Sequence, residues 1–172
     1  MLSESVRRHR EAAPESVRVA VLTISDTRTP ETDTGGDTIR RLLQEAGHEI
    51  AGSAIVKDEA EQIEARLDEF LADPGVDAVI TTGGTGISAR DTTYEVVSRK
   101  LDKVLDGFGE LFRVLSYEEV GAAAILSRAT AGSAGGKFLA CLPGSANAVR
   151  LAMEKLLVPE IAHVVFELKR HR

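Results

Sequence analysis

The fold is decided by the stretch VRVAVLTI, residues 17–24, together with a second apolar stretch, VDAVITT, residues 76–82. Both stretches are rich in β-branched residues and are apolar nearly throughout, which is typical of strands covered on both faces of a parallel sheet. A weaker strand, EIAGSAIV at residues 49–56, lies between them in the chain. Together the three stretches predict the centre of one sheet.

Two amphipathic helices are predicted between these strands. The first begins near residues 34–37 and ends at Gly47, and its apolar residues follow the helical repeat: Ile39, Leu42, Leu43 and Ala46. The second covers residues 58–72 and stops at Pro74 and Gly75. Strands that alternate with helices at this spacing predict right-handed crossovers, a mainly parallel sheet and helices on both of its faces.

The rest of the chain predicts a longer mixture of elements. A helix is expected over residues 91–100, a loop around 102–109, and an interrupted helix over 111–126. Two short strands, 127–131 and 137–142, flank a glycine-rich turn at 132–136, and a last helix runs from 146 to about 157. A chain of 172 residues is long enough for one domain. We expect a polar tail over residues 1–16 and one domain over 17–172.

Composition excludes several classes of function. The chain is 43% apolar and 28% charged with a net charge of −6, which argues against a general binder of nucleic acid. The negative charge is local, because eight acidic residues and one basic residue stand between Asp58 and Asp77. No apolar run is long enough for a membrane span. A single cysteine and no secretory signal favour a reducing cytoplasm.

The strongest functional signal is the sequence TTGGTG at residues 81–86, which follows the third strand. Ligands bind open α/β sheets at the carboxyl ends of strands. Glycines there permit positive φ angles and close backbone approach, and successive N–H groups can form a nest for an anion. The alternative is a tight turn that needs glycine. We expect phosphate to bind this loop at Gly83, Gly84, Thr85 and Gly86.

Two carboxylates follow strands at this same edge of the predicted sheet. Asp58 follows the second strand, and Asp91 follows the glycine loop. They could share Mg²⁺, which takes one or two carboxylates together with phosphate oxygens and water. The alternative is helix capping, which local chemistry favours for Asp58 and also allows for Asp91.

Small polar side chains follow two further strands. Ser25 and Asp26, after the first strand, suit either hydrogen bonding to a polar ligand or an Asx or ST turn. Ser145 and Asn147 stand before the last helix, whose N-terminus favours a bound anion. A capped turn is an equally good interpretation of that segment.

Eight motifs occur in a fixed order along the chain. They are TISDT (23–27), KDE (57–59), TTGGTG (81–86), RDTTYE (90–95), GFGELFR (107–113), SYEEVG (116–121), LSRA (126–129) and LPGS (142–145). In this order they resemble the MoaB/Mog family of molybdenum cofactor biosynthesis proteins, from residue 17 to the end of the chain. The fifth to seventh motifs resemble the MoaB branch more than the Mog branch.

The resemblance implies a three-layer α/β/α fold and molybdopterin adenylyltransferase activity. In that reaction the terminal phosphate of molybdopterin attacks the α-phosphate of ATP, with Mg²⁺, and pyrophosphate is released. The resemblance further implies a homo-oligomer, trimer or hexamer, and a separate molybdate-insertion protein as a partner in the pathway. The alternative is a protein of the same pathway that binds molybdopterin, as a binding or scaffold protein, without turnover.

By position in the motifs, the resemblance implies that Asp58 and Asp91 support the metal and the transfer step. The phosphate- and substrate-binding positions are Ser25, Asp26, Gly83, Gly84, Thr85, Gly86, Arg90, Ser145 and Asn147. The chain departs from the family pattern at two positions where proline is frequent, since Lys57 precedes Asp58 and Tyr94 follows the Arg-Asp-x-Thr step.

Overall fold

The chain folds around a mixed six-stranded sheet, which a computed structural model describes within residues 12–170. Residues 1–11, most of the predicted polar tail, lie outside the described part, as do residues 171–172. The order of the strands is β2-β1-β3-β6-β5-β4. Their bounds are β1 (Arg18–Ile24), β2 (Glu49–Val56), β3 (Ala78–Thr82), β4 (Lys103–Val104), β5 (Thr130–Ala134) and β6 (Lys137–Leu142).

Four neighbouring strands, β2, β1, β3 and β6, run parallel, whereas β5 pairs antiparallel with β6 and β4 pairs antiparallel with β5. The predicted mainly parallel sheet is therefore confirmed. The predicted strands 49–56 and 137–142 coincide with β2 and β6.

Helices cover both faces of the sheet. Their bounds are α1 (Thr34–Glu45), α2 (Ala60–Ala72), α3 (Thr93–Lys100), α4 (Asp106–Val120), α5 (Ala146–Ala152) and α6 (Val158–Lys169). A 3₁₀ segment, Gly121–Leu126, follows α4, and a π-helical turn, Met153–Leu157, joins α5 to α6. Within residues 12–170, no helix combines the length and the apolar character that crossing a membrane requires.

Each face of the sheet carries its own hydrophobic core. Along β1, Val19 and Val21 enter one core, whereas Ala20 and Leu22 enter the other, because successive side chains of a strand alternate between faces. Helices α1, α4, α5 and α6 contribute to the first core, and α2 and α3 contribute to the second. This burial on both sides explains why β1 is apolar nearly throughout, and it confirms the three-layer arrangement.

The topology opens a crevice between the carboxyl ends of β1 and β3. These two strands are neighbours, but the chain leaves β1 for α1 on one face and leaves β3 for α3 on the other face. Loops that diverge in this way mark the switch point at which doubly wound sheets bind ligands.

Two predictions for the second half of the chain are wrong. Gly132 does not belong to the turn but lies inside β5, where a Cβ atom would come within 2.0 Å of the Lys103 carbonyl oxygen on β4. The turn itself is formed by Gly135 and Gly136, both at positive φ. The predicted loop around 102–109 contains β4 and the start of α4, since a two-residue strand leaves no periodicity to detect.

At the amino ends of the parallel strands, away from the crevice, Asp77 connects the start of β1 to the end of α6. Its carboxylate accepts hydrogen bonds from Arg18 Nη2 at 2.9 Å and from Lys169 Nζ at 2.6 Å. Burial acts to raise the pKa of Asp77, but the hydrogen bonds from Arg18 and Lys169 outweigh it and hold the pKa well below its usual range. This acidic residue is therefore structural.

Candidate functional site

The candidate site is the crevice at the switch point, with a volume of about 190 Å³. The ends of β1 and β3 and the starts of the loops that follow them form its walls. Its lining residues are Thr23, Ile24, Ser25, Arg28, Asp33, Gly35, Thr82, Gly83, Gly84 and Gly144. A wider cleft of about 640 Å³ continues from it along the end of β2 and shares Ser25, Arg28 and Asp33 with the crevice.

The glycine loop requires glycine for steric reasons. Gly83 has a φ of 97°, and a Cβ atom there would lie 2.2 Å from the Ile24 carbonyl oxygen. Its N–H donates to the Leu142 carbonyl at 3.2 Å, so this amide is already used within the fold. Among the described residues, no hydrogen bond uses the amides of Gly84, Thr85 or Gly86. Three of the four predicted N–H donors are therefore unused within the described fold; of these residues Gly84 lines the crevice, and Thr85 is 6% exposed.

Asp58 does not cap the helix that follows it, so the capping interpretation was wrong. Helix α2 begins only at Ala60, and its N-cap residue, Glu59, makes no capping hydrogen bond through its side chain. Asp58 is 8% exposed, and its side chain turns to the start of α3. Its Oδ1 atom accepts hydrogen bonds from Thr92 N at 3.1 Å and from Thr92 Oγ1 at 3.0 Å.

Asp91 is likewise not a helix cap. The N-cap residue of α3 is Thr92, and Asp91 Oδ2 instead accepts hydrogen bonds from Ser88 N at 3.1 Å and Ser88 Oγ at 2.6 Å. The same oxygen lies 2.6 Å from the position that a Cβ atom on Gly86 would occupy. The glycine loop thus leaves space for this carboxylate.

Asp58 and Asp91 offer carboxylate oxygens, the type of protein ligand that Mg²⁺ takes. In each, one oxygen is held by the donors just described, and the other accepts no hydrogen bond from a described residue: Oδ2 of Asp58 and Oδ1 of Asp91. Residues 12–170 contain no cluster of three or more His, Cys, Asp or Glu side chains that could hold a metal. Such a donor set suits Mg²⁺, which uses few protein ligands and completes its shell with phosphate oxygens and water.

Asp26, just after β1, is hydrogen-bonded to Arg90 and to the backbone of Asp58. Arg90 donates to it from Nε and Nη2, both at 3.0 Å, and the backbone amide of Asp58 donates to it at 3.1 Å. The Arg90 hydrogen bond is the main cause that lowers the pKa of Asp26, and Asp26 in turn raises the pKa of Arg90. Part of the Arg90 guanidinium is therefore already occupied by a carboxylate.

The Ser25 side chain forms an ST turn, which is one of the two roles predicted for it. Its Oγ atom accepts hydrogen bonds from the amides of Thr27, at 3.2 Å, and Arg28, at 3.1 Å. These bonds use the lone pairs of the oxygen, so the hydroxyl hydrogen is not needed for the turn. Ser25 lines both the crevice and the wider cleft, which keeps it available to a ligand.

The structure does not bring Ser145 and Asn147 into the crevice. Ser145 is the N-cap of α5, and its Oγ atom accepts from the amide of Ala148 at 3.2 Å, as the capped-turn alternative predicts. The Asn147 amide donates to Glu119 Oε2 at 2.7 Å. Both residues line a separate pocket of about 160 Å³, whereas Gly144 is the residue of this segment that reaches the crevice.

Sequence reasoning missed Asp33, which is 1% exposed at the N-terminus of α1. It accepts hydrogen bonds from Thr23 Oγ1 at 2.8 Å and from the amide of Gly36 at 2.9 Å. An Asp three residues before a glycine at a predicted helix start was the available signal. This capping bond fixes the start of α1 against the end of β1 in the crevice wall.

Arg128 was missed as well. Its Nε atom donates to the Thr85 carbonyl at 2.9 Å, and its other nitrogens donate to Glu95 at 2.5 and 3.0 Å. The guanidinium carbon lies 4.6 Å from the centre of the Tyr94 ring, which suits a cation–π contact. Tyr94, one of the two departures from the family pattern, therefore supports the arginine that holds the glycine loop.

The fold and the site define the class of the protein: a three-layer α/β protein with a glycine loop at a switch-point crevice and two carboxylates, Asp58 and Asp91, beside that loop. A family described as a probable molybdopterin binding domain matches residues 20–163. The chain belongs to this family, the MoaB/Mog family, as the motifs predicted.

Individual relatives are similar over nearly the whole chain. Molybdenum cofactor biosynthesis protein B of Bacillus cereus is 51% identical, over 96% of this chain and 99% of that protein. A crystal structure of Molybdenum cofactor biosynthesis protein B matches at 52% identity with a TM-score of 0.89, over 92% of this chain and 99% of that one. The tungsten cofactor synthesizing protein MoaB from Pyrococcus furiosus matches at 37% identity with a TM-score of 0.81, over 91% and 99%.

Proposed function

We propose that this chain acts in molybdenum cofactor biosynthesis as a molybdopterin adenylyltransferase. The observation that carries the proposal is the placement of Asp58 and Asp91 beside Gly84 and Gly86 of one loop at the switch point. A loop with free amides offers a phosphate site, and two carboxylates with free oxygens offer a magnesium site. The names of the relatives support the pathway, and this site supports the type of reaction.

The reaction joins two phosphates and needs little covalent help from the protein. An oxygen of the terminal phosphate of molybdopterin attacks the α-phosphorus of ATP, the bond from that phosphorus to the bridging oxygen breaks, and pyrophosphate leaves. Catalysis of this kind depends on positioning and on neutralisation of charge. The amides of Gly84, Thr85 and Gly86 would hold the phosphates, and Asp58 and Asp91 would hold Mg²⁺. The ion supplies positive charge next to the phosphate oxygens.

The crevice and the wider cleft together provide room for the phosphates and for the ring system of such a substrate. The crevice is small and polar and suits phosphate groups, whereas the wider cleft is large enough for a ring system. Three cationic side chains, Arg28, Arg40 and Lys57, line the wider cleft together with two carboxylates, Asp26 and Asp33. The charged side chains of the cleft therefore sum to one positive charge in a chain that is negative overall.

The test is release of pyrophosphate from ATP by the purified chain in the presence of molybdopterin and Mg²⁺. Asp58→Asn and Asp91→Asn should each reduce the rate at least a hundredfold, because a metal-binding carboxylate is lost. The matched control is Glu61→Gln on the exposed part of α2, which should leave the rate unchanged. Normal turnover in both aspartate variants would contradict the assignment of the site.

The second candidate is a molybdopterin-binding or scaffold protein of the same pathway without turnover. The observation that favours it is Lys57, which departs from the family pattern directly before Asp58. Chromatography of the reaction mixture separates the candidates. A chain that retains molybdopterin but yields no adenylylated product is the binding protein.

We also propose that the chain forms a homo-oligomer, a trimer or a hexamer. Large apolar side chains are exposed on α4 and on the 3₁₀ segment after it: Leu111, Val114, Tyr117, Val120, Ile125 and Leu126. An apolar stripe of this size on a surface is typical of a protein contact. The molybdate-insertion protein of the pathway remains a proposed partner, and the cytoplasm the proposed location, to be tested by co-purification and cell fractionation.

A further inference from the structure

The hydroxyl of Thr93 is buried without a partner. Thr93 is 0% exposed, and its Oγ1 atom makes no hydrogen bond to any described residue. Natural proteins satisfy nearly all of their buried polar groups, so an unsatisfied hydroxyl needs a reason, such as a role in catalysis or an unseen bound group. A valine of the same shape would avoid the cost.

This hydroxyl lies next to the free oxygen of Asp58. A Cβ atom placed on Gly84 would be 2.2 Å from Thr93 Oγ1 and 2.6 Å from Asp58 Oδ2, so both oxygens border the same small space. Gly84 has a φ of 65°, and only glycine leaves that space open. The hydroxyl therefore faces the carboxylate oxygen that the Thr92 hydrogen bonds leave unused.

The backbone of Thr93 fixes this arrangement. Its N–H donates to the carbonyl oxygen of Gly84 at 3.0 Å, which ties α3 to the glycine loop. Thr92, its neighbour, holds Oδ1 of Asp58 through two hydrogen bonds. One oxygen of the carboxylate is thus held by Thr92, and the residue beside the other oxygen is Thr93.

We propose that Thr93 is a positioning residue for Asp58, whose hydroxyl donates to Oδ2 of that carboxylate when a divalent cation is bound. The inference rests on the cation site of the proposed function but not on adenylyl transfer itself. Groups that orient a metal-binding carboxylate usually change metal affinity 10–100-fold when they are removed.

The experiment measures binding of Mn²⁺ alone, followed by electron paramagnetic resonance, to the full chain and its variants. Thr93→Val should weaken Mn²⁺ binding about tenfold, and Thr93→Ser, which keeps the hydroxyl, should restore it. Thr93→Val should not lower the urea midpoint of unfolding, since it removes an unsatisfied polar group. If the valine variant does not fold, Thr93→Ala and Thr93→Ser give the same comparison.

Thr81 provides the matched control. It too is a threonine at 0% exposure, but it lies inside β3 beside Cys141, and its hydroxyl interacts with the sulfur of that cysteine. Thr81→Val should therefore leave Mn²⁺ affinity unchanged. Equal Mn²⁺ affinity in Thr93→Val and the wild type, or no Mn²⁺ binding by the wild type, would overturn the inference. Tight Mn²⁺ binding that depends on Thr93, without any adenylylated product, would contradict the proposed function and leave the inference standing.

Discussion

The carboxylate of Asp58 is held by Thr92, a residue 34 positions later in the chain, which donates to one oxygen from both its backbone and its side chain. This relationship joins the end of β2 to the start of α3. It also decides which oxygen of Asp58 remains free toward the glycine loop. The role of Asp58 therefore depends on a neighbour that is distant in sequence.

Thr92→Val tests this relationship. The variant keeps the backbone hydrogen bond to Asp58 but loses the one from Oγ1, and a hydrogen bond to a charged group contributes about 1.5 kcal/mol. We expect the free energy of unfolding in urea to fall by about that amount and the pyrophosphate release rate to fall with it. Thr92→Ser keeps the hydroxyl and should retain both. Equal losses in the two variants would contradict a role for the hydroxyl.

Gly84→Ala tests the steric argument for the glycine loop. The new methyl group would collide with Thr93 Oγ1 and Asp58 Oδ2, and the positive φ is strained for alanine. We expect a loss of more than about 2 kcal/mol in unfolding free energy, together with loss of turnover. The control is Gly107→Ala in α4, where an added Cβ atom would meet nothing within 4 Å. This substitution should raise the free energy of unfolding by roughly 0.5 kcal/mol.

Arg128→Met tests whether the arginine holds the loop in its active shape. The variant removes the hydrogen bond to Thr85 and the ion pair with Glu95. We expect kcat/KM for ATP to fall about tenfold, because the free amides of the loop lose their fixed position. Arg128→Lys should not restore it, since an ammonium group cannot make these contacts together. Arg41→Met, which breaks an exposed ion pair on α1, is the control and should leave kcat/KM unchanged.

Asp77→Asn tests the pH dependence of stability. The folded chain lowers the pKa of Asp77, so its contribution is present above the unfolded value of about 3.9 and is lost as the pH falls toward the folded value. We expect the variant to be about 2 kcal/mol less stable at pH 7, because Arg18 and Lys169 lose their charged partner. Between about pH 5 and pH 2 the wild type should lose more stability than the variant, as followed by urea unfolding at each pH. Parallel curves would contradict the assignment.

Val114→Lys tests the oligomer. Val114 is 58% exposed on the apolar stripe of α4, so a lysine there costs the single chain little. In an assembly that buries the stripe, it would place unpaired charges in the contact. We expect the wild type to have the mass of a trimer or a hexamer by light scattering and the variant to dissociate. A wild type with the mass of one chain would contradict the proposal.

Much of the fold could be predicted because the relevant signals are local. The apolar stretches of β1 and β3 and the helical repeat in α1 each lie within about a dozen consecutive residues. The strands and the helix that they predict are confirmed. The glycine loop was found for the same reason, since several glycines directly after a buried strand form a pattern by themselves. Gly132 shows the limit, because a glycine in a strand and a glycine in a turn look alike until the neighbouring strand is placed.

The sequence by itself determined the parallel strands, the helices between them, the family and the end of the sheet at which polar residues gather, since these depend on periodicity and on the order of motifs. Only the tertiary structure decided which contacts those residues make. Asp58 appeared to be a helix cap because capping is a local interaction, but its carboxylate contacts Thr92 instead. The support from Arg128 and the buried hydroxyl of Thr93 have no local pattern. Such contacts depend on the distances between elements, which folding alone sets.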